Sequence, residues 1–224
     1  MNKNNNKKFF LGLTVAVLLP FSFYIIAKML GKDKLAMPRY YNAESVNGPS
    51  DTVYHRVADV GFINQFGDHI RLNSDLRDKI LVIEVFFAQC GSVCPKLTGN
   101  MAILQKAFKR NDSTVQLISV SIDPERDSAG ALRAYAERFK ANSDHWWFLT
   151  GNADTIYNFL NNELKLMVKQ PAGAEQFDHT STFVLVDKER FVRGYYNGLD
   201  TLSLKQCADD IGLLSMQKNL KVKK

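Results

Sequence analysis

The chain has 224 residues, 46% hydrophobic and 23% charged, the balance of an ordinary folded protein, with a formal net charge of +6. Seven of its 29 basic side chains lie in the first and last eight residues, which hold no acid, leaving 22 basic against 23 acidic groups between them, a net of −1. Basic ends on a neutral body suit solvated tails or a membrane-surface contact, and they argue against a nucleic-acid footprint.

A basic tail over residues 1–8 leads into FFLGLTVAVLLPFSFYIIA, residues 9–27, with 19 positions and no charge. As a helix it spans roughly 28 Å, close to the hydrocarbon core of a bilayer, and Pro20 is expected to kink it. No small-x-small cleavage site and no lipid-accepting cysteine follow, so residues 9–27 are expected to be an uncleaved single-pass anchor. Lysines flank both sides and leave orientation undecided by charge; the simpler topology puts the domain on the outer, periplasmic-type side. Residues 28–52, with Gly31, Pro38, Gly48 and Pro49, read as a linker.

The folded domain is expected over 53–216, followed by a basic tail over 217–224. Short alternating segments around Gly67-Asp68 predict a hairpin. The run Lys79–Ala88 predicts a central strand buried on both faces. A helix is predicted over Pro95–Arg110 with Leu97, Met101, Leu104 and Phe108 inward, then a strand over Thr114–Ile122 and a helix over Ser128–Lys140. A short strand in HWWFLTG, a helix over Asp154–Leu164, a hairpin from Ser181–Asp187 and Arg190–Tyr196, and a helix over Thr201–Met216 complete the pattern. Strands alternating with helices make this an α/β fold with a mixed sheet.

Cys90 and Cys94 fall between the central strand and the next helix, the edge where open α/β sheets carry reactive groups. Were the helix to start near Cys90, the i, i+4 spacing would set both sulfurs on one face, near a disulfide's Cα window of about 4.4–6.8 Å. The same spacing suits two thiolates on one ion, and a helix N-terminus lowers a thiol pKa. A redox couple, a metal clamp and a buried inert pair are all open on this evidence. Cys207, alone in a late helix, reads as structural. Of the four histidines, His179 precedes a buried strand and is placed to face the thiols, whereas His55 and His69 read as surface residues and His145 as a strand-entry residue. Two thiolates with one imidazole suit Cu(I) and admit Cu(II). Zinc is the competitor, and it normally takes four protein ligands.

Three segments in order resemble the Sco/SenC family of membrane-anchored copper chaperones for cytochrome c oxidase assembly. These are EVFFAQCGSVCPKLTGNM, QLISVSIDPERDSAGALRAYAERF and FDHTSTFVLVD, and the likeness runs over roughly residues 55 to 200. The resemblance implies a thioredoxin-like fold, with the mixed sheet flanked by helices and preceded by the hairpin and the membrane helix. It implies Cys90, Cys94 and His179 as copper ligands, a redox-active Cys90–Cys94 pair, and Asp123 and Asp127 in a turn beside the site. It further implies a copper-site-bearing oxidase subunit as partner. Gln89 stands where the family commonly has histidine, and Gly91, Ser92 and Val93 replace its usual acidic spacer. The enzymatic alternative is a thiol-disulfide oxidoreductase that reduces a partner's cysteines. A peroxidase-like thiol enzyme ranks behind both, for want of an activating threonine.

Overall fold

The computed structural model describes residues 3–31, 37, 39, 44–45, 52–108, 113–169 and 180–216, and the chain divides into two compact units, Met1–Met37 and Pro38–Lys224. The first unit is one helix, α1 (Lys3–Gly31), which contains the apolar run and continues through Pro20. Its side chains are described over 12–26, where Leu13, Val17, Leu19, Phe21, Phe23 and Ile26 are all exposed. A helix apolar on every side lacks the one-sided stripe of a domain-surface helix. Among the described residues no helix is long and apolar enough to cross a membrane.

In the second unit, β1 (Glu44–Ser45) pairs antiparallel with β2 (Thr52–Val53). The chain then runs β3 (Gly61–Asn64), β4 (His69–Arg71), α2 (Leu72–Asp75), β5 (Ile80–Phe86), α3 (Val93–Ala107), β6 (Val115–Ser121) and α4 (Ala129–Arg138). It continues through β7 (Trp146–Thr150), α5 (Ala153–Asn158), β8 (Thr182–Val186), β9 (Val192–Asn197) and α6 (Thr201–Met216). Seven strands form one mixed sheet in the order β4-β3-β7-β6-β5-β8-β9. β5, β6 and β7 are parallel, while β8 returns antiparallel along β5.

The expected hairpin forms at Gly67, whose φ of 90° falls in the region that favours glycine. Asn64 fixes this turn by accepting the Phe66 and Asp68 N–H groups on Oδ1 at 2.9 and 3.0 Å. Element boundaries differ from expectation at several places, among them α3 and α5. The helix after the cysteines starts at Val93, two residues early, and α5 ends after six residues in a π-helical turn, Phe159–Glu163. α2 is an element that residue periodicity does not reveal. Its backbone is organised from outside, by the Asp59 carboxylate, which accepts the Asn73 N–H at 2.8 Å and the Ser74 hydroxyl at 2.7 Å.

Every residue of β5 and β6 is buried, as a sheet covered on both faces requires. On one face Leu81, Ile83 and Val85 join Ile118, Val120, Phe159 and Leu160 in a continuous apolar cluster. On the other, Phe86 packs on Tyr135 and Phe148 with ring centroids 4.9 and 5.5 Å away. α3 lies over β5 and β6 through buried Leu97, Met101 and Leu104. Its close approach is tied to Gly198, where a Cβ would run into Leu97 and the Phe183 ring. The Gly198 carbonyl also accepts the Asn100 side-chain amide at 2.7 Å. Phe86 and Ser121 are register partners at the carboxyl ends of β5 and β6, and antiparallel β8 begins at the same edge. That edge is where the chemistry gathers.

Candidate metal and thiol centre

From Phe86 the chain turns through Ala88 and Gln89, and the Cys90 N–H closes the turn on the Phe87 carbonyl at 3.1 Å. Ser92 is the N-cap of α3 but makes no side-chain cap hydrogen bond. The Cys90 sulfur accepts a helix N–H instead, from Cys94 at 3.2 Å. Cys90 therefore lies outside the helix, and the shared helical face expected from the spacing is not how the two thiols meet. A turn brings the first sulfur back over the first helical turn, where orphan N–H groups seek an acceptor. Both residues are buried free thiols, Cys90 7% and Cys94 4% exposed.

The two sulfurs differ in acidity. At Cys90 burial opposes ionisation, but hydrogen bonds from the Cys94 thiol and from the Ser92, Cys94 and Val93 N–H groups outweigh it, leaving the pKa below the ordinary thiol value. At Cys94 burial raises the pKa strongly, followed by the hydrogen bond to Cys90 and the charges of Cys90 and Glu84, with only the Phe87 backbone opposing. One sulfur ionises more readily than an ordinary thiol; the other holds its proton more tightly.

The Asp123–Asp127 turn follows β6 at the same edge. Asp127 is 1% exposed, and one of its oxygens, Oδ2, accepts both the Ala88 N–H at 2.9 Å and the Ser121 hydroxyl at 2.6 Å. The cap of α4 is the next residue, Ser128, which accepts from Ala131. Asp127 thus ties the thiol-bearing loop to β6, whereas the Asp123 carboxylate pairs with Arg126 inside its own turn. Replacing Asp127 by alanine leaves a buried N–H and a hydroxyl without this acceptor, and is expected to destabilise the protein by about 1–3 kcal/mol. Asparagine, which keeps one acceptor oxygen, should cost less. Denaturant unfolding of the two variants checks the order.

His179 lies outside the described residues. Its neighbour Thr180 lines a small cavity with Val85, Phe87, Val93, Cys94 and Ile122. None of the other histidines comes to the thiols. His55 pairs with Glu163 at 2.8 Å, His69 is exposed on β4, and His145 precedes β7 beside Leu104 and Phe108. Cys207 is fully buried in α6, and burial, with a smaller contribution from Asp210, pushes its thiol up to about 12. Among the described residues no group of three or more His, Cys, Asp or Glu side chains could hold a metal ion.

Within β5 sits a residue that the pattern of the strand conceals. Glu84 is 0% exposed in the middle of the central strand. Its Oε1 accepts the Ser119 hydroxyl at 2.6 Å, and Ser119 accepts the Trp146 indole N–H at 2.8 Å. Its Oε2 has no hydrogen-bond partner. Burial pushes this carboxyl up to about 8, with the Ser119 and Thr98 hydroxyls offsetting part of the rise. The signal was one acid inside ILVIEVFF, a strand with no polar face to receive it.

A family model described as SCO1/SenC matches residues 54–212. The SCO1 protein homolog of Bacillus subtilis is 32% identical over 169 residues, covering 75% of this chain and 87% of the relative. The solved structure of BsSco, described as a member of the Sco family of cytochrome c oxidase assembly proteins with a disulfide switch, superposes with a TM-score of 0.65 at 32% identity. That match covers 73% of this chain and 95% of BsSco. Copper-bound ScoI of Bradyrhizobium japonicum shares the fold with a TM-score of 0.58 at 21% identity, over 71% of this chain and 99% of that one.

Proposed function

The chain belongs to the SCO1/SenC family, and on that premise we propose that it is a membrane-tethered copper metallochaperone that holds Cu(I) or Cu(II) through Cys90, Cys94 and His179. It passes the ion to the copper-site-bearing subunit of a cytochrome c oxidase. The observation that carries this reading is the pair of sulfurs at the carboxyl edge of the sheet, with Cys94 N–H directed at Cys90 Sγ. Soft thiolates favour Cu(I), and an imidazole makes Cu(II) bindable. Two thiolates with Cu(I) sum to −1 and with Cu(II) to zero, so neither state buries a large charge. Thr180 lines a cavity with Cys94, and consecutive Cα atoms are about 3.8 Å apart, which supports residue 179 as the third donor. Three ligands leave room for an incoming thiolate or imidazole before an old bond breaks, so copper moves by exchange rather than release. The uncharged run 9–27 within α1, whose described side chains over 12–26 are exposed, is proposed as a membrane tether with the domain on the outer side.

Copper titration of the full-length chain in detergent, with metal analysis and absorption spectra, tests the reading. His179→Ala is expected to abolish the Cu(II) thiolate charge-transfer band while dithiol exchange proceeds unchanged. A His179→Ala protein with the parent's Cu(II) spectrum removes His179 from the ligand set.

A second reading is favoured by the unequal acidity of the thiols. The more acidic Cys90 suits an attacking sulfur and the less acidic Cys94 a resolving one, as in a thiol-disulfide oxidoreductase. The two roles are compatible in alternation, because a closed disulfide has no thiolate to offer a metal.

A further inference from the structure

Two arginines at the pole of the sheet opposite the thiols have no part in the site described above. β8 runs antiparallel to β5, with Val186 opposite Leu81, so the turn that joins β8 to β9 lies at the far end of β5 from Phe86 and Cys90. Phe191 closes that turn, its N–H donating to Asp187 Oδ1 at 2.8 Å. The incoming chain is fastened here as well, through the Val57 N–H on the Arg190 carbonyl at 2.9 Å. Over the Phe191 ring stand two guanidinium groups, with Arg39 Cζ 4.3 Å and Arg56 Cζ 4.8 Å from its centroid. Arg39 also lies 5.8 Å from the Tyr54 ring, which meets Phe191 edge-on at 6.4 Å.

Contact with a ring face attracts the charge of a guanidinium but leaves its five N–H donors unsatisfied. Among the described residues neither Arg39 nor Arg56 enters an ion pair, although two like charges are brought to one ring. The neighbouring arginines are already engaged. Arg190 donates to Asn73 Oδ1 at 2.7 Å and to the Lys79 carbonyl at 2.9 Å, and Arg193 pairs with Asp187 at 2.8 Å. The acids Asp78 and Glu189 bear on Arg190. Two guanidiniums without carboxylates present forked donors to an anion with several acceptor oxygens, and a phosphate is the matching chemistry.

Chain length says which phosphate. Seven residues, 32–38, separate Gly31 at the end of α1 from Arg39. At no more than about 3.6 Å per residue they hold Arg39 within roughly 29 Å of that end along any path. With the run 9–27 in a bilayer, the headgroup layer is in reach, and a tethered site meets it at high effective concentration.

We propose that Arg39 and Arg56, held over Phe191, bind the phosphate of an anionic phospholipid headgroup and dock this pole of the domain on the membrane surface. This rests on the membrane tether set out above and goes beyond it, by giving the tethered domain a face that meets the lipid. The thiol edge lies at the other end of β5, a strand of seven residues that spans about 20 Å at about 3.3 Å per residue. Docking therefore turns Cys90 and Cys94 away from the bilayer, toward the soluble part of a partner.

Hydrogen exchange of the full-length chain in nanodiscs tests the proposal, comparing phosphatidylcholine alone with discs that also contain phosphatidylglycerol. Amides of residues 54–58 and 187–192 are expected to exchange at least about fivefold more slowly in the anionic discs, the share of one basic residue at an anionic surface. Amides of residues 88–94, on the thiol edge, should not respond to the lipid. The double variant Arg39→Gln, Arg56→Gln should exchange alike in both discs, and inorganic phosphate added to the phosphatidylcholine discs should slow nothing. Equal rates for the parent in the two discs, or a slowing that survives in the double variant, overturn the proposal. Equal slowing by inorganic phosphate makes the occupant a free anion and overturns the lipid assignment. Where the double variant does not fold, salt decides: at about 1 M the screening length is about 3 Å, so slowing that resists such salt overturns the proposal as well. Flotation of the chain with phosphatidylcholine vesicles is a separate readout of the tether. A chain that does not float overturns the tether, while exchange on phosphatidylglycerol vesicles still reads the arginine site.

Discussion

Cys90→Ser in the full-length chain is expected to abolish the thiolate-to-copper absorption and to weaken copper binding by at least about 100-fold. That is the upper end of what changes outside the ligand set cost a metal site, and here a ligand itself is removed. The substitution is conservative for the helix, because a serine oxygen accepts an N–H as readily as the Cys90 sulfur does at 3.2 Å. Loss of copper with an unchanged unfolding midpoint would therefore assign the effect to the ligand rather than to the fold. Cys94→Ser offers a contrast. It removes the sulfur of higher pKa, so the proton released on copper binding should drop by one relative to the parent chain. Stoichiometric copper at parental affinity in Cys90→Ser would sink the metallochaperone reading.

Much of this architecture is written in short-range pattern. Lys79–Ala88 reads as a strand buried on both faces because seven consecutive residues, Ile80–Phe86, have no face turned to water. The Gly67 hairpin is legible because its turn needs the backbone that glycine supplies and the side-chain acceptor of Asn64. What escapes are features fixed by partners remote in sequence. Cys90 cannot be placed outside the helix from spacing, since that depends on a sulfur substituting for the silent Ser92 cap. Asp127 lies next to the helix that follows it in sequence, yet its partner is Ala88, 39 residues earlier on the adjacent edge of the sheet. Glu84 is masked for a related reason: the apolar run that identifies the strand averages over the one residue that breaks it. The third ligand rests on the family's motif, because His179 lies outside the described residues and only Thr180 beside it reaches the cavity.

The stability of the fold should depend on pH through Glu84 in a way that ordinary acids do not produce. A carboxyl with a raised folded pKa binds its proton more tightly in the native than in the unfolded chain, so unfolding becomes easier as pH rises between the two values. For Glu84 that window runs from the ordinary 4.5 to about 8, with burial as the leading cause. At about 1.4 kcal/mol per pH unit the full effect is about 5 kcal/mol, a large share of the roughly 5–15 kcal/mol that holds a domain folded. Asp127 also has a pKa raised chiefly by burial, and adds in the same sense. Asp59 works the other way. Burial raises it, but the hydrogen bonds of Ser74 and Arg71 with the Asn73 N–H bring it to about 2, so its contribution is lost only in acid, as pH falls from 3.8 through about 2. Denaturant unfolding of the full-length chain should therefore show stability declining from about pH 5 to about pH 8, and Glu84→Gln should flatten that decline. The buried amide carries a constant penalty wherever its N–H groups lack acceptors, which displaces the whole curve without tilting it, so the slope and not the height is the quantity to compare. Parallel slopes for parent and Glu84→Gln would mean that the carboxyl is ionised in the core at neutral pH.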